Sequence, residues 1–267
     1  MNCAVNELHG SLTMQIGILI IGDEILSGRR QDKHFAQVIQ ALAQRGLELA
    51  WARYVGDDEK TLVQNFLEIR AQGDLCFSFG GIGATPDDKT RQAIAAAHDL
   101  PLVRHEQAVK EIEAQFDDAA YPNRILMADL PLGANLIPNP KNRIPGFSLA
   151  NIHCLPGFPE MAWPMLEWVL DTHYPELHAQ KSILYTTKIQ NAHESDLIEL
   201  MNEIQLAFPQ IKLSSLPRYL PGDKREIELG VRGEEALASA AFECLKTLLA
   251  KQGLELQQNT NAASKED

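Results

Sequence analysis

Cysteine is scarce and scattered in this sequence of 267 residues: Cys3, Cys76, Cys154 and Cys244 form no CxxC pair and no zinc-finger spacing. A disulfide-stapled miniature fold is thereby excluded, and the four read as buried thiols of a protein from a reducing, cytoplasmic compartment. Positive charge is also in deficit, with 24 Lys and Arg against 36 Asp and Glu, a formal charge of -12. Such a field repels phosphate backbones and anionic lipid, so neither nucleic acid nor a membrane is an expected partner. No apolar run approaches the length needed to span a bilayer, and residues 1–13 lack the basic segment and apolar stretch of a secretory signal. Internal repeats and low-complexity segments are absent. What is there is ordinary globular composition, 45% hydrophobic and 22% charged, enough to build a real core.

The chain opens, after an expected extension over 1–13, with the β-branched apolar run Gln15 to Ile21, the pattern of a strand buried on both faces. Helical spacing follows over Asp32 to Arg45, then strand-like Leu47 to Val55, a helix over Glu59 to Arg70 and a third strand at Leu75 to Phe79. This βαβαβ alternation predicts an α/β, doubly wound, mostly parallel sheet whose ligands bind beyond the carboxyl ends of its strands. Further helices are expected from about Pro86, over Glu106 to Phe116 and from Pro159 through Leu170, with one strand over Ser148 to Leu155. Strands at Ser182 to Lys188, Ile211 to Ser215 and Glu226 to Val231, with helices over Glu194 to Phe208 and Glu234 to Gln252, describe a small α+β appendage. The expected division is 14–172, 177–256 and a disordered tail over 257–267.

Any phosphate-bearing ligand of so acidic a chain must be held locally, by main-chain amides, a few placed cations or a bound metal ion. Gly80-Gly81-Ile82-Gly83 follows a buried strand and precedes a helix, so it reads either as a phosphate cradle or as a plain glycine turn. It is neither the GxGxxG fingerprint nor a P-loop. Thr85 as a cap, Pro86 at the first helical position and Asp87 and Asp88 in the first turn suit a helix start. Carboxylates beside a phosphate cradle would repel the phosphate unless a divalent cation such as Mg²⁺ bridges them, with Asp57, Asp87 and Asp88 as its expected ligands. Asp23-Glu24 and Asp57-Asp58 end the first two strands, where a parallel sheet brings them toward the same edge. Gly80, Gly81, Gly83, Thr85, Lys89, Thr90 and Ser27 are the candidate phosphate contacts, although Ser27 and Thr90 serve equally as caps and Lys33, Lys89 and Arg91 equally as exposed helix positions. No G-x-S-x-G elbow is present, and the scattered histidines show no helical zinc spacing; His34 alone lies beside the expected site.

The segments Gly22-Asp23-Glu24-Ile25-Leu26-Ser27-Gly28 with Asp32, Val55-Gly56-Asp57-Asp58, Gly80 to Thr90, Asn142 to Phe147 and Leu155 to Met161 carry a resemblance to the molybdopterin-binding domain family. Molybdenum-cofactor biosynthesis proteins of the MoaB and Mog kind share this domain, and the specific likeness is to the amino-terminal part of CinA-type competence/damage-inducible proteins. The family's loop usually reads GGTGPT, where this chain has Ile82 and Ala84 in place of threonine and proline, and an asparagine usually stands where His34 does. The resemblance implies a three-layer α/β/α domain whose glycine loop holds a pterin phosphate or a nucleotide pyrophosphate, with Asp23, Asp57 and Asp88 functional. It also implies a KH-like appendage, whose acidity and missing GxxG loop argue against RNA, and self-association into a homo-oligomer. The deamidase domain that follows in CinA-type proteins has no counterpart in the sequence. Three functions stay open: metal-dependent hydrolysis of a pyrophosphate such as ADP-ribose, with catalytic Asp88, Asp57 and Asp23; molybdopterin binding or adenylation; and a noncatalytic nucleotide-binding or regulatory module.

Overall fold

A computed structural model of the chain describes residues 14–177, 183–221, 224–254 and 256–257. The expected extension over 1–13, and all of the expected tail except Gln257, lie outside them. The chain divides into two compact units, Met1–Leu42 with Glu48–Leu177 and Ala43–Leu47 with His178–Asp267.

The first unit runs β1 (Ile16–Ile21), α1 (Asp23–Leu26), α2 (His34–Gln44), β2 (Trp51–Val55), α3 (Glu59–Gln72), β3 (Leu75–Phe79), α4 (Thr90–Ala97), β4 (Leu102–Arg104) and α5 (Glu106–Phe116). It continues through β5 (Asp129–Pro131), β6 (Asn135–Ile137), β7 (Gly146–Leu149), β8 (Ile152–Leu155) and α6 (Pro159–His173). Its six-stranded sheet has the order β2-β1-β3-β8-β7-β6. The first four are parallel neighbours, and β7 and β6 add antiparallel pairs. Every residue of β1 and β3 is buried, which is why they read as unbroken apolar runs. Leu19, Ile21, Cys76 and Cys154 turn to one side and share a core with Phe66 of α3, Ile94 of α4 and Ile112 of α5. On the other side Phe79 stacks on His34 of α2, and His153 bonds the Tyr174 hydroxyl just past α6. The result is a three-layer α/β/α unit.

The second unit is α+β: β9 (Ile183–Gln190), α7 (Ile198–Ala207), β10 (Lys212–Leu220), β11 (Lys224–Gly233), α8 (Glu235–Lys251) and β12 (Leu256–Gln257). Its sheet is antiparallel in the order β10-β11-β9-β12. Ile189, Leu229 and Val231 pack there against Ile204, Ala241 and Leu245 of the two helices. Among the described residues no helix is long and apolar enough to cross a membrane.

Three expectations are corrected. The single strand over Ser148 to Leu155 is a tight hairpin, β7 and β8 paired about Ala150-Asn151, with Ala150 at φ 50. The strand expected from Leu47 begins at Trp51. The helix expected from about Pro86 begins at Thr90, because the Asp88 carboxylate accepts the Thr85 amide at 2.9 Å and folds residues 85–88 into a turn of their own.

Two positions test the packing. A Cβ on Gly17 would lie 1.9 Å from the Trp51 ring, itself held by its Nε1 donor to buried Asp74 at 2.7 Å. Gly17→Ala is therefore expected to cost about 1–3 kcal/mol in urea unfolding, and an unchanged midpoint would contradict this packing. His153 lies between the Ser148 hydroxyl at 2.7 Å and the Tyr174 hydroxyl at 2.9 Å. Burial, with His173 nearby, pushes its imidazole down to about 3. The unfolded chain takes up this proton near pH 6.5 and the folded chain does not, so stability falls as pH drops from there toward 3. His153→Asn is expected to flatten that slope in unfolding curves taken across the interval.

Candidate ligand site

The parallel strands β1, β3 and β8 end side by side, and their exits meet at glycines. The Gly80 amide donates to Leu155 O at 2.9 Å, and a Cβ on Gly80, at φ 105, would lie 2.5 Å from Ile21 O. Only a residue without a side chain passes between the two neighbouring exits. The loop is then pinned by its carbonyls. Thr90 Oγ1 donates to Gly80 O at 2.9 Å, and the Thr90 amide donates to Gly81 O at 3.0 Å. Arg91, only 4% exposed, donates from Nη2 to Gly83 O at 2.7 Å and from Nη1 to Asp129 O at 3.1 Å and to Leu126 O. Ile82, at one of the positions where the family pattern differs, packs against the core. Among the described residues no acceptor takes the amides of Gly81, Ile82, Gly83 or Ala84. A run of unpaired amides at the carboxyl edge of a parallel sheet is the standard main-chain receptor for an anion.

Gly80, Gly81, Ile82 and Gly83 line a cavity of about 400 Å³. Gly80, Gly81, Gly83, Thr85, Asp57, Asp87 and Asp88 of the sequence candidates line it, together with His34. Asp23 stands behind Asp57, the two exchanging bonds: the Asp23 amide donates to Asp57 Oδ2 at 2.9 Å, and the Asp57 amide to Asp23 Oδ1 at 3.3 Å. Thr90 is fully buried with its hydroxyl committed to Gly80. Ser27 is exposed and accepts from Arg29 Nε, and Lys89 is the N-cap residue of α4; neither lines the cavity. Asp58 is not a wall residue either, for it caps α3 through the Thr61 amide.

The electrostatics are lopsided. Among the described residues, Glu24, Asp57, Asp87 and Asp88 face the cavity against one Arg, Arg30, which is 3.9 Å from Glu24. Burial pushes the Asp57 carboxyl above its ordinary range; the Asp23 amide opposes this, and the carboxylates of Asp23, Glu24 and Asp87 add to it. His34, 5% exposed, has its imidazole pushed down by burial, so the neutral ring meets Gly157 O at 3.3 Å and stacks on Phe79 at 4.4 Å. Asp32 holds the start of α2 through the amides of His34 and Phe35. Sequence reasoning gave no role to Arg30, Phe158, Met127 and Asn139, all of which line the cavity. Phe158 lies within the segment Leu155 to Met161 and Asn139 three residues before the segment Asn142 to Phe147, which was the available signal.

The loop anchor can be tested by stability alone. Arg91→Met strands three carbonyls and is expected to cost about 3 kcal/mol, whereas Lys89→Met, one residue away, stays within about 0.5 kcal/mol. Equal effects of the two substitutions in thermal unfolding would contradict the anchor.

Among curated relatives, a CinA-like protein of Anaeromyxobacter sp. (strain K) is 36% identical over 165 residues, 59% of this chain and 40% of the relative. The chain thus spans less than half the length of such relatives. A protein of Caldivirga maquilingensis is 29% identical over 252 residues, covering 89% of this chain and 96% of that one. Among solved structures, the protein CinA of unknown function from Thermoplasma acidophilum aligns with a TM-score of 0.54 at 27% identity, covering 59% of this chain and 97% of the other. The family profile described as "Probable molybdopterin binding domain" matches residues 17–179, more than half of the sequence, and the chain belongs to that molybdopterin-binding domain family, with CinA-like proteins among its relatives.

Proposed function

We propose that the cavity binds the phosphate end of a small molecule that also carries a ring, and that it hydrolyses a nucleotide pyrophosphate such as ADP-ribose with the help of a divalent cation. The observation that carries this reading is the run of amides at Gly81 to Gly83 that no acceptor takes among the described residues, set among carboxylates that would otherwise repel the anion they receive. Among the described residues no three His, Cys, Asp or Glu side chains gather as a metal-ligating group, so an all-protein metal cage is not what these acids fit. They fit a cation of the Mg²⁺ type, which binds through one or two carboxylates together with substrate phosphates; Asp57 and Asp87 would hold it. When bound, such an ion supplies Lewis acidity and offsets phosphate charge. The chain's own part is to donate the loop amides to phosphate oxygens as charge develops there and to exclude competing orientations. Asp57 also orients the attacking water at phosphorus, whose proton passes to solvent as the P–O bond to the leaving phosphate breaks.

A second reading, binding of a phosphorylated pterin of the molybdopterin type without hydrolysis, is favoured by one observation. Asp88 Oδ2 accepts from the Thr85 amide at 2.9 Å and from the Thr85 hydroxyl, which gives one of its two carboxylate oxygens a structural duty in the turn before α4.

Incubation with ADP-ribose and Mg²⁺ or Mn²⁺, followed by chromatography for AMP and ribose 5-phosphate, separates the two. Turnover is expected to fall by about 10²-fold or more in Asp57→Asn. Binding of ADP-ribose with no AMP released would sustain the second reading, and failure to bind any phosphorylated ligand would remove both.

A further inference from the structure

The helix α2 buries His34, Val38, Ala41 and Leu42 on its inward face and turns Phe35 and Ile39, one turn apart, outward. The outward side of a helix laid on a sheet ordinarily carries charge. The helix α3 follows that rule with Glu59, Lys60, Glu68 and Arg70, whereas none of the eleven residues of α2 is Asp, Glu, Lys or Arg. The apolar surface continues beyond the helix. Tyr54 of β2 donates its hydroxyl to Asp32 Oδ2 at 2.9 Å, and the same oxygen accepts the Phe35 amide at 3.1 Å. Leu26 reaches the end of β2, its Cδ1 lying 3.6 Å from the place a Cβ on Gly56 would take. Among the described residues β2 is an outer strand of its sheet, paired with β1 alone. Leu26, Tyr54, Phe35 and Ile39, each at least 40% exposed, therefore form one apolar flank of the unit, and none of them lines the cavity. Single exposed apolar residues are ordinary, but a group of four along one edge marks a contact surface.

We propose that this flank is the interface between two copies of the chain, α2 packing on α2 about a twofold axis, with Ile39, the middle residue of the helix, beside its own mate. The charge of the molecule selects the partner. With 24 basic residues against 36 acidic ones, two copies repel each other where their ordinary surfaces meet, and they approach without juxtaposing carboxylates where a helix face carries no ionisable group. A strongly charged partner gains nothing from such a face, which offers it no charge to pair with. An apolar patch that meets its own copy needs no second complementary surface, and a twofold arrangement closes at two. Ala36, exposed beside the apolar pair, adds no bulk, and Gln40 is neutral, so the two helices can come close.

The test is sedimentation equilibrium of the full chain over a concentration series. The expected species has twice the mass of one chain, and it persists in high salt, because salt screens the repulsion between copies and no ion pair of α2 holds them together. Ile39→Glu, which sets two carboxylates against each other at the axis, should weaken the dimer about 100-fold or more, whereas Leu206→Glu, at a position 84% exposed in α7, should leave it unchanged. Ile39→Cys treated with a short bis-maleimide is expected to give a dimer joined through residue 39 of both copies, as read by peptide mass mapping. This second variant decides the matter if Ile39→Glu does not fold. A chain that is monomeric at every concentration, or that assembles in a number other than two, overturns the proposal. So does a dimer that Ile39→Glu and Leu206→Glu affect alike, or one whose Ile39→Cys copies do not join.

Discussion

The candidate site depends on how the main chain is held between Gly80 and Gly83. The carbonyls of Gly80, Gly81 and Gly83 are each taken by a donor from α4, the Thr90 hydroxyl, the Thr90 amide and the Arg91 guanidinium. With its acceptors consumed on the protein side, the loop has amides left over, and those amides are what the cavity offers. Arg91 does more than anchor the loop, since it also reaches the carbonyls of Leu126 and Asp129 and so fixes the loop relative to the turn that carries Met127. A buried guanidinium with three carbonyl partners is a rigid connector of segments far apart in sequence.

The same geometry explains why the acids around the loop need not be read as one metal centre. Each pair ended up with its own structural duty. Asp58 caps α3, Asp88 closes the turn before α4, and Asp23 exchanges amide bonds with Asp57. Of the group, Asp57 is the one whose carboxyl burial and neighbouring charge push upward, and it lines the cavity. A local excess of negative charge beside unpaired amides is an unbalanced arrangement in isolation. The proposed function would balance it by bringing an anion and a cation together, as Mg²⁺ does with phosphates.

Much of the fold was legible because β1 and β3 are buried on both faces and α3 and α5 are periodic, signals that depend only on local residue order. The β7–β8 hairpin was not, because Ala150-Asn151 carries none of the glycine that normally marks so tight a turn, and two short buried strands then look like one. The start of α4 was misplaced for a related reason. Thr85, Pro86 and two aspartates make a good helix opening by composition, yet the Asp88 side chain competes for the Thr85 amide and delays the helix to Thr90. In the site, the glycine loop and Asp57 were readable from their place at strand ends. Arg91 was not distinguishable from a solvated helix residue, since its carbonyl partners at 126 and 129 come from a segment without a recognisable pattern. Phe158 and Arg30 escaped notice because an aromatic and a cation become neighbours here only through the fold.

The central claim is that main-chain nitrogens of Gly81 to Ala84 receive the phosphate of the ligand. The direct measurement is an amide NMR titration of the isotopically labelled chain with ADP-ribose in the presence of Mg²⁺. Saturable shifts centred on the amides of residues 81–84 are the result this account predicts. Saturable binding that leaves those four amides unmoved, with the shifts confined to other parts of the chain, would contradict it.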